Sequence, residues 1–270
     1  MTATREIAPA KLNLALHVRG KLPDGRHSIE TVFAFCTDGD VLTLEKPVDH
    51  SLYELRRTGP FAQDLGTPDL ITVAWQTLCD EDERRQNILF TLDKQLPVAS
   101  GIGGGSADAA AALRLMERWW NLDRELIERV AVRIGSDVPA CLLSTSARGE
   151  GAGDRVTPLD LLELSGKPVL LVNPRVPLST ASVFAGWDGQ DRGPLDDWRD
   201  GRNDLEAPAI ALVPQIGSVL AWLGTQTGAE FVRMSGSGAT CFALFESEEA
   251  RDAAADAVPR EWWRLATFLR

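Results

Sequence analysis

Cysteine is scarce in this chain. Its four residues, Cys36, Cys79, Cys141 and Cys241, lie far apart, and no C-x-x-C pair occurs. That usage excludes a thiolate metal motif of the usual spacing and predicts reduced thiols in a cytoplasmic protein. The three histidines (His17, His27, His50) make no metal-ligand pattern either. Basic residues are few: 28 Lys and Arg stand against 39 Asp and Glu, a net charge of −11. A nucleic-acid binder carries a basic footprint, so no nucleic-acid partner is expected. A nucleotide substrate is not excluded, because exposed charge is screened beyond about 8 Å at physiological salt. Local backbone dipoles and one or two basic side chains then decide binding inside a pocket. No run of about eighteen apolar residues occurs, and Met1 to Gly20 has no apolar signal core. Neither a membrane span nor a secretory signal is expected. What remains is a 270-residue chain, 44% hydrophobic and 25% charged. That is the composition of a globular protein of one large or two ordinary domains. Monomer and homodimer both stay open.

Glycine, by contrast, is concentrated. In Pro97 to Trp120, PVASGIGGGSADAAAALRLMERWW, four glycines fall within five residues. Asn87 to Leu92 reads as a strand before them, and an alanine-rich run of helix formers follows. Ala109, Ala112, Leu113, Met116 and Trp120 recur at helical spacing and predict one buried face. Strand, glycine loop and helix N-terminus in that order present backbone N–H groups and the positive end of a helix dipole to an anion. A tight turn needs only one or two glycines, so a phosphate site is the better reading. A Walker loop would require Gly-Lys-Ser/Thr, and a dinucleotide fingerprint would require a third glycine where Ser106 stands. Both fit badly.

Elsewhere the patterns are ordinary. Lys11 to Val18 alternates, predicting a half-buried strand with Lys11 and Asn13 on its open face. On spacing alone Lys11 is a surface lysine, His27 a loop histidine, and Asp137 a helix cap before Pro139. Ile29 to Cys36, Asp40 to Glu45 and Ser51 to Arg57 read as separate strands. Thr67-Pro68 starts a helix, and Asp80 to Arg85 is a charged turn. Asp123 caps another helix that Gly135 ends. Asp188 to Arg202 looks mobile. Beyond residue 160 the order β, α, β, β, α, β predicts a ferredoxin-like α/β sandwich. The expected domains are 1–160 and 161–270.

The motifs occur in a telling order: Pro9-Ala10-Lys11-Leu12-Asn13-Leu14, the glycine loop, Gly135-Ser136-Asp137-Val138-Pro139, and Ser235-Gly236-Ser237-Gly238-Ala239. Over nearly the whole chain this resembles the GHMP kinases, the small-molecule kinase superfamily of galactose, homoserine, mevalonate and phosphomevalonate kinases. PAKLNL, the DG-x-H of Asp24 to His27, GSDVP and Asn203-Asp204-Leu205-Glu206 are similar to its branch acting on a cytidine diphosphate-linked methylerythritol in the non-mevalonate isoprenoid route. The resemblance implies an α+β, two-domain fold with an N-terminal β/α nucleotide-binding domain. It implies ATP as phosphoryl donor, Mg2+ beside it, and a 2-hydroxyl as acceptor. Lys11 and Asp137 become the catalytic residues. Pro97, Val98, Ala99, Ser100, Gly101, Ile102, Gly103, Gly104, Gly105, Ser106 and Ala107 become the ATP loop. Asn13, Arg26, His27, Thr180 and Phe184 become substrate contacts, with His27 on the cytosine edge and Phe184 stacked on the base. Arg26 stands where the branch usually has tyrosine, and its guanidinium plane is expected to stack instead. Asp69 stands where asparagine often touches the nucleotide. The metal ligands are not readable. Another kinase of the superfamily, a non-catalytic sensor on its scaffold, and an NAD(P) oxidoreductase are the competing readings.

Overall fold

The computed structural model describes residues 4–48, 52–82 and 87–270. His50, Ser51 and the 83–85 part of the expected charged turn lie outside the described residues. Along the chain the elements are β1 (Thr4–Lys21), β2 (His27–Glu45), β3 (Tyr53–Thr58), α1 (Leu70–Glu81), β4 (Ile88–Asp93), α2 (Gly104–Trp120), α3 (Arg124–Ile134), α4 (Val138–Leu143), β5 (Ala147–Glu150), β6 (Arg155–Pro158), β7 (Pro168–Asn173), α5 (Thr180–Ala185), α6 (Glu206–Leu212), α7 (Gln215–Gly224), β8 (Ala229–Met234), β9 (Cys241–Phe245), α8 (Glu248–Ala257) and β10 (Trp263–Phe268). No helix among the described residues is long and apolar enough to cross a membrane.

Two compact units form. The first comprises Met1–Ala10, Asp38–Val98 and Gly103–Ser144; the second comprises Lys11–Thr37, Ala99–Ile102 and Thr145–Arg270. Their segments alternate in sequence, whereas the expected division followed chain order and fell at residue 160. Strands pair by edge geometry and not by neighbourhood in the chain. β1 and β2 therefore give one part of their length to each unit.

In the first unit β3 runs parallel to β4, and β4 runs antiparallel to the Val41–Glu45 end of β2. Helices α1, α3 and α4 pack on α2. The expected single buried stripe of α2 is exceeded: Ala107 and Ala109 to Leu113 are all 0% exposed. Alanines let three neighbouring helices come close, so α2 is a central helix and not a surface one. Helix α1 begins two residues later than expected. Its cap is Asp69, whose Oδ1 accepts from the Thr72 N–H at 2.8 Å while Oδ2 accepts from Arg57 Nη2 at 2.5 Å. Asp123 caps α3 as expected, accepting from the Glu125 N–H at 3.0 Å.

In the second unit the sheet order is β10-β7-β9-β8, antiparallel throughout. This bears out the ferredoxin-like expectation. Leu170, Val172, Ile216, Val219, Leu223 and Phe245 form part of its core. Pro208 falls in the first turn of α6 and Pro214 caps α7, positions where no helical N–H is lost. The Thr31–Phe33 part of β2 pairs with β5, and β5 with β6.

Three expectations are corrected here. β2 is one strand of 19 residues and not two. The polar face of β1 is not open: Lys11, Asn13 and His17 are 3%, 2% and 2% exposed. Alternation marks two unlike faces, and here the polar one is filled by a hydrogen-bond network instead of water. Nor is the 188–202 segment loosely held. Leu195 and Trp198 are buried, and Glu30 accepts from the Leu195 N–H at 2.7 Å. Arg148 Nη1 donates to Leu195 O at 2.7 Å, and Arg233 Nη1 to Trp198 O at 3.0 Å.

His17 holds the same segment. Its Nε2 accepts from the Arg202 N–H at 3.2 Å, which places the proton on Nδ1, 3.1 Å from Gly193 O. Burial first, then the charge of Arg202, lowers its pKa below 6.5. The stabilisation is therefore complete above the unfolded value and lost as pH falls through the folded one. Lowering the pH from about 7 to about 5 is expected to reduce amide protection across 193–202, measured against free-chain exchange at each pH, because a second proton removes the acceptor at Nε2. The dependence should vanish in His17→Phe. Protection that stays flat in the native chain would refute this account.

Candidate active site

The predicted residues form two groups, one in each unit. In the second unit, Lys11 and Asn13 are two apart on β1 and so share a face. Lys11 Nζ donates to Asn13 Oδ1 at 3.0 Å and sits 4.8 Å from the centre of the Phe33 ring. Asn13 Nδ2 donates to Thr31 Oγ1 at 2.8 Å, and that hydroxyl donates to Ala15 O at 2.6 Å. The amide is thereby oriented with its oxygen toward the ammonium.

The Ala99–Ile102 part of the glycine loop lies against this strand and the Ser235 to Gly238 turn. The Lys11 N–H donates to Ile102 O at 2.9 Å, and the Thr240 N–H to Ser100 O at 3.0 Å. Ser235 bridges the two: its Oγ accepts from the Asn13 N–H at 3.1 Å and donates to Gly101 O at 2.9 Å. Gly101 has φ +79°, and a Cβ there would lie 2.5 Å from Ser235 O and 2.6 Å from Gly238 O. This glycine answers a protein contact as much as a ligand. Asn203 pins the turn from the far side, with Nδ2 donating to Met234 O and Gly236 O, each at 2.8 Å. Ser235 and Asn203 were motif members without an assigned role; only the folded contacts supply one.

Thr180 and Phe184 are one helical turn apart on α5. Thr180 Oγ1 is 2.9 Å from Ser237 Oγ. Phe184 stacks on His27, ring centres 4.8 Å apart and planes at 28°, while Trp187 meets His27 edge-on at 5.7 Å. Burial, with the charge of Lys21 second, lowers the His27 pKa and favours the neutral imidazole. Arg26 is occupied differently: Nε donates to Asp24 Oδ2 at 2.8 Å and Nη1 to Asp154 Oδ2 at 3.3 Å. The structure thus joins His27 with Phe184 and directs Arg26 to carboxylates.

In the first unit, Gly103 caps α2 with φ +66° and no side-chain hydrogen bond. The N-terminus of this 17-residue helix is bare main chain, fitted to an anion's oxygens. Gly105 and Ser106 are partly exposed there, and Pro97 is buried. Asp137 holds the cap position of α4, yet its carboxylate makes no capping hydrogen bond. The cap reading therefore does not account for this residue. Asp69, besides Arg57, accepts from Thr72 Oγ1 at 3.0 Å, so both its oxygens serve the start of α1. Among the described residues no three His, Cys, Asp or Glu side chains cluster as a metal site.

The sequence profile of the GHMP kinases N terminal domain matches residues 69–145, and that of the GHMP kinases C terminal matches 192–265. The 4-diphosphocytidyl-2-C-methyl-D-erythritol kinase of Novosphingobium aromaticivorans is 49% identical over 275 residues, covering 98% of this chain and 93% of the relative. That of Rhizorhabdus wittichii is also 49% identical, over 98% of this chain and 94% of the relative. A crystal structure of 4-(cytidine 5'-diphospho)-2C-methyl-D-erythritol kinase superposes with a TM-score of 0.84 at 29% identity, covering 98% and 99% of the two chains. Homoserine kinase from Cytophaga hutchinsonii shares the fold, with a TM-score of 0.73 at 16% identity over 100% of this chain and 95% of that one.

Proposed function

This chain belongs to the 4-diphosphocytidyl-2-C-methyl-D-erythritol kinase family of the GHMP kinases, and we propose that it moves the γ-phosphoryl of ATP onto the 2-hydroxyl of that cytidine diphosphate-linked alcohol. ADP and the 2-phosphate are the products, on the non-mevalonate route to isoprenoid precursors in the cytoplasm. The near-full-length likeness to relatives at 49% identity supports this reading most, because it names the acceptor. The bare N-terminus of α2 supports the donor, since phosphoryl transfer is mostly positioning and charge stabilisation.

The roles follow from chemistry. Asp137 accepts the proton of the attacking hydroxyl, a contribution of about 10²–10⁴ in rate. Lys11, buried and oriented by Asn13, offers a fixed positive charge to the transferring group. One such electrostatic contact is worth on the order of 3 kcal/mol at the transition state. Main-chain N–H groups of the 97–107 loop hold the phosphate oxygens. Magnesium would accompany ATP and neutralise charge on its phosphates. His27, as a neutral imidazole, reads the cytosine edge, and Phe184 receives the base. Thr180 and Asn13 meet the acceptor.

The test is a direct comparison of phosphate transfer from ATP to this alcohol, to homoserine and to mevalonate. A site built to hydrogen-bond the cytosine should favour its own substrate by on the order of 10⁴ in kcat/KM. Equal or faster transfer to homoserine or mevalonate would assign the chain to another branch, and transfer to none would favour a sensor.

A further inference from the structure

Three ionisable side chains beneath the start of α2 have no part in the chemistry above. Lys94 follows β4 and is buried together with Asp40 of β2 and Asp108 of α2, at 1%, 0% and 3% side-chain exposure. Its Nζ donates to Asp40 Oδ2 at 2.5 Å and to Asp108 Oδ2 at 2.7 Å. Asp40 spends its other oxygen on the main chain: Oδ1 accepts from the N–H groups of Gln95 at 2.6 Å and Leu96 at 2.8 Å. The ammonium lies against the first residue of α2, since a Cβ on Gly104 would stand 3.0 Å from it. Lys94 thus precedes the glycine stretch, Asp108 follows it, and Asp40 grips the two residues that lead in.

Stability is a weak reason for such a cluster, because a buried ionic group is often no better than an apolar one of the same volume. Its placement gives a better reason. We propose that Asp40, Lys94 and Asp108 are positioning residues, a staple that holds the two ends of the 97–107 loop at the separation a bound triphosphate requires. The proposal rests on reading that loop as the ATP site.

The charge balance gives the staple a signature. Burial foremost, then the charge of Asp40, raises the Asp108 pKa to about 8 against the opposing pull of Lys94. Burial works against the charge on Lys94, but the two carboxylates together raise its pKa. Lys94 and Asp40 are the charged groups that act on Asp108. Of the helices packed on α2, α4 carries no charged residue, α1 carries its charges only at Asp80 and Glu81 in its last turn, and those of α3 are exposed. Asp108 Oδ1 is buried without a hydrogen-bond partner, an atom on which a proton can reside. With that proton the cluster is neutral; without it, the cluster is a net anion beneath the phosphates.

The experiment compares the native chain with Lys94→Met, Asp108→Ala and Asp108→Asn. It measures ADP affinity by calorimetry, KM for ATP and for the alcohol from about pH 6 to about pH 9.5, and amide exchange across 95–104. Lys94→Met and Asp108→Ala should weaken ADP and raise the ATP KM about tenfold to a hundredfold, and speed exchange in that stretch. The alcohol KM should stay within about twofold. Asp108→Asn, which keeps an acceptor for Lys94, should lose less and should no longer weaken nucleotide binding above the pH at which the native chain does. Folded variants with native exchange and affinity would overturn the staple, as would equal losses for both substrates. If Lys94→Met fails to fold, the Asp108→Asn profile decides, and an alkaline fall like the native one refutes the proposal. A native chain that binds ADP but phosphorylates no alcohol would sink the reaction reading alone, and the ADP affinities would still judge the staple.

Discussion

Replacing Asp137 with Asn should lower kcat about 10³-fold while leaving the KM of both substrates within about twofold. The substitution keeps size and shape and removes only the basic oxygen. Helix α4 does not use that carboxylate as a cap, so the thermal midpoint should show no capping loss. Capping losses in general run to about 1 kcal/mol and would show in a melt. Steady-state kinetics beside a melting curve therefore separate a chemical role from a structural one. Undiminished turnover removes Asp137 as the base. A large drop in melting temperature would give it a structural role instead.

The second large effect concerns a single glycine. Gly101→Ala should raise the KM for ATP by on the order of 10² and lower the melting temperature. Two causes act together. The residue has φ +79°, which alanine resists, and the added Cβ would press on two main-chain oxygens of Ser235 and Gly238, which cannot swing aside as a side chain would. Gly105→Ala is the contrasting variant. Its Cβ would meet only Leu70 Cδ1 at 3.6 Å, an ordinary contact. Its melt should match the native chain, and any rise in its ATP KM then reports the ligand's own need for bare backbone. If Gly101→Ala melts and binds like the native chain, the interlock with the second glycine turn carries no weight.

Much of this was legible beforehand, because local signals suffice for it. The strand, glycine loop and alanine helix, the Asp123 cap and the β, α, β, β, α, β order all arise from residues close in sequence. Burial of Lys11 was not legible. Alternating Leu and polar residues look alike whether the polar face meets water or meets Thr31 and Ser235. The hold on 188–202 was hidden too, since its anchors Glu30, Arg148 and Arg233 come from distant strands. So was the staple: 54 and 14 residues separate Lys94 from its two partners, and a charged residue carries no mark of its distant mate. The expected cap was Thr67, whereas Asp69, which stands where the branch often has a nucleotide-touching asparagine, caps the helix with its oxygens on Thr72 and Arg57. Nothing in the order of residues says which of two neighbouring cap formers wins.

His27 already covers one side of Phe184. A flat heterocycle can make stacking contacts of the kind these rings already make with each other, and an alcohol without a ring cannot. On the proposed reading, the aromatic pair would favour guests that bring a ring to stack over those that bring only hydroxyls.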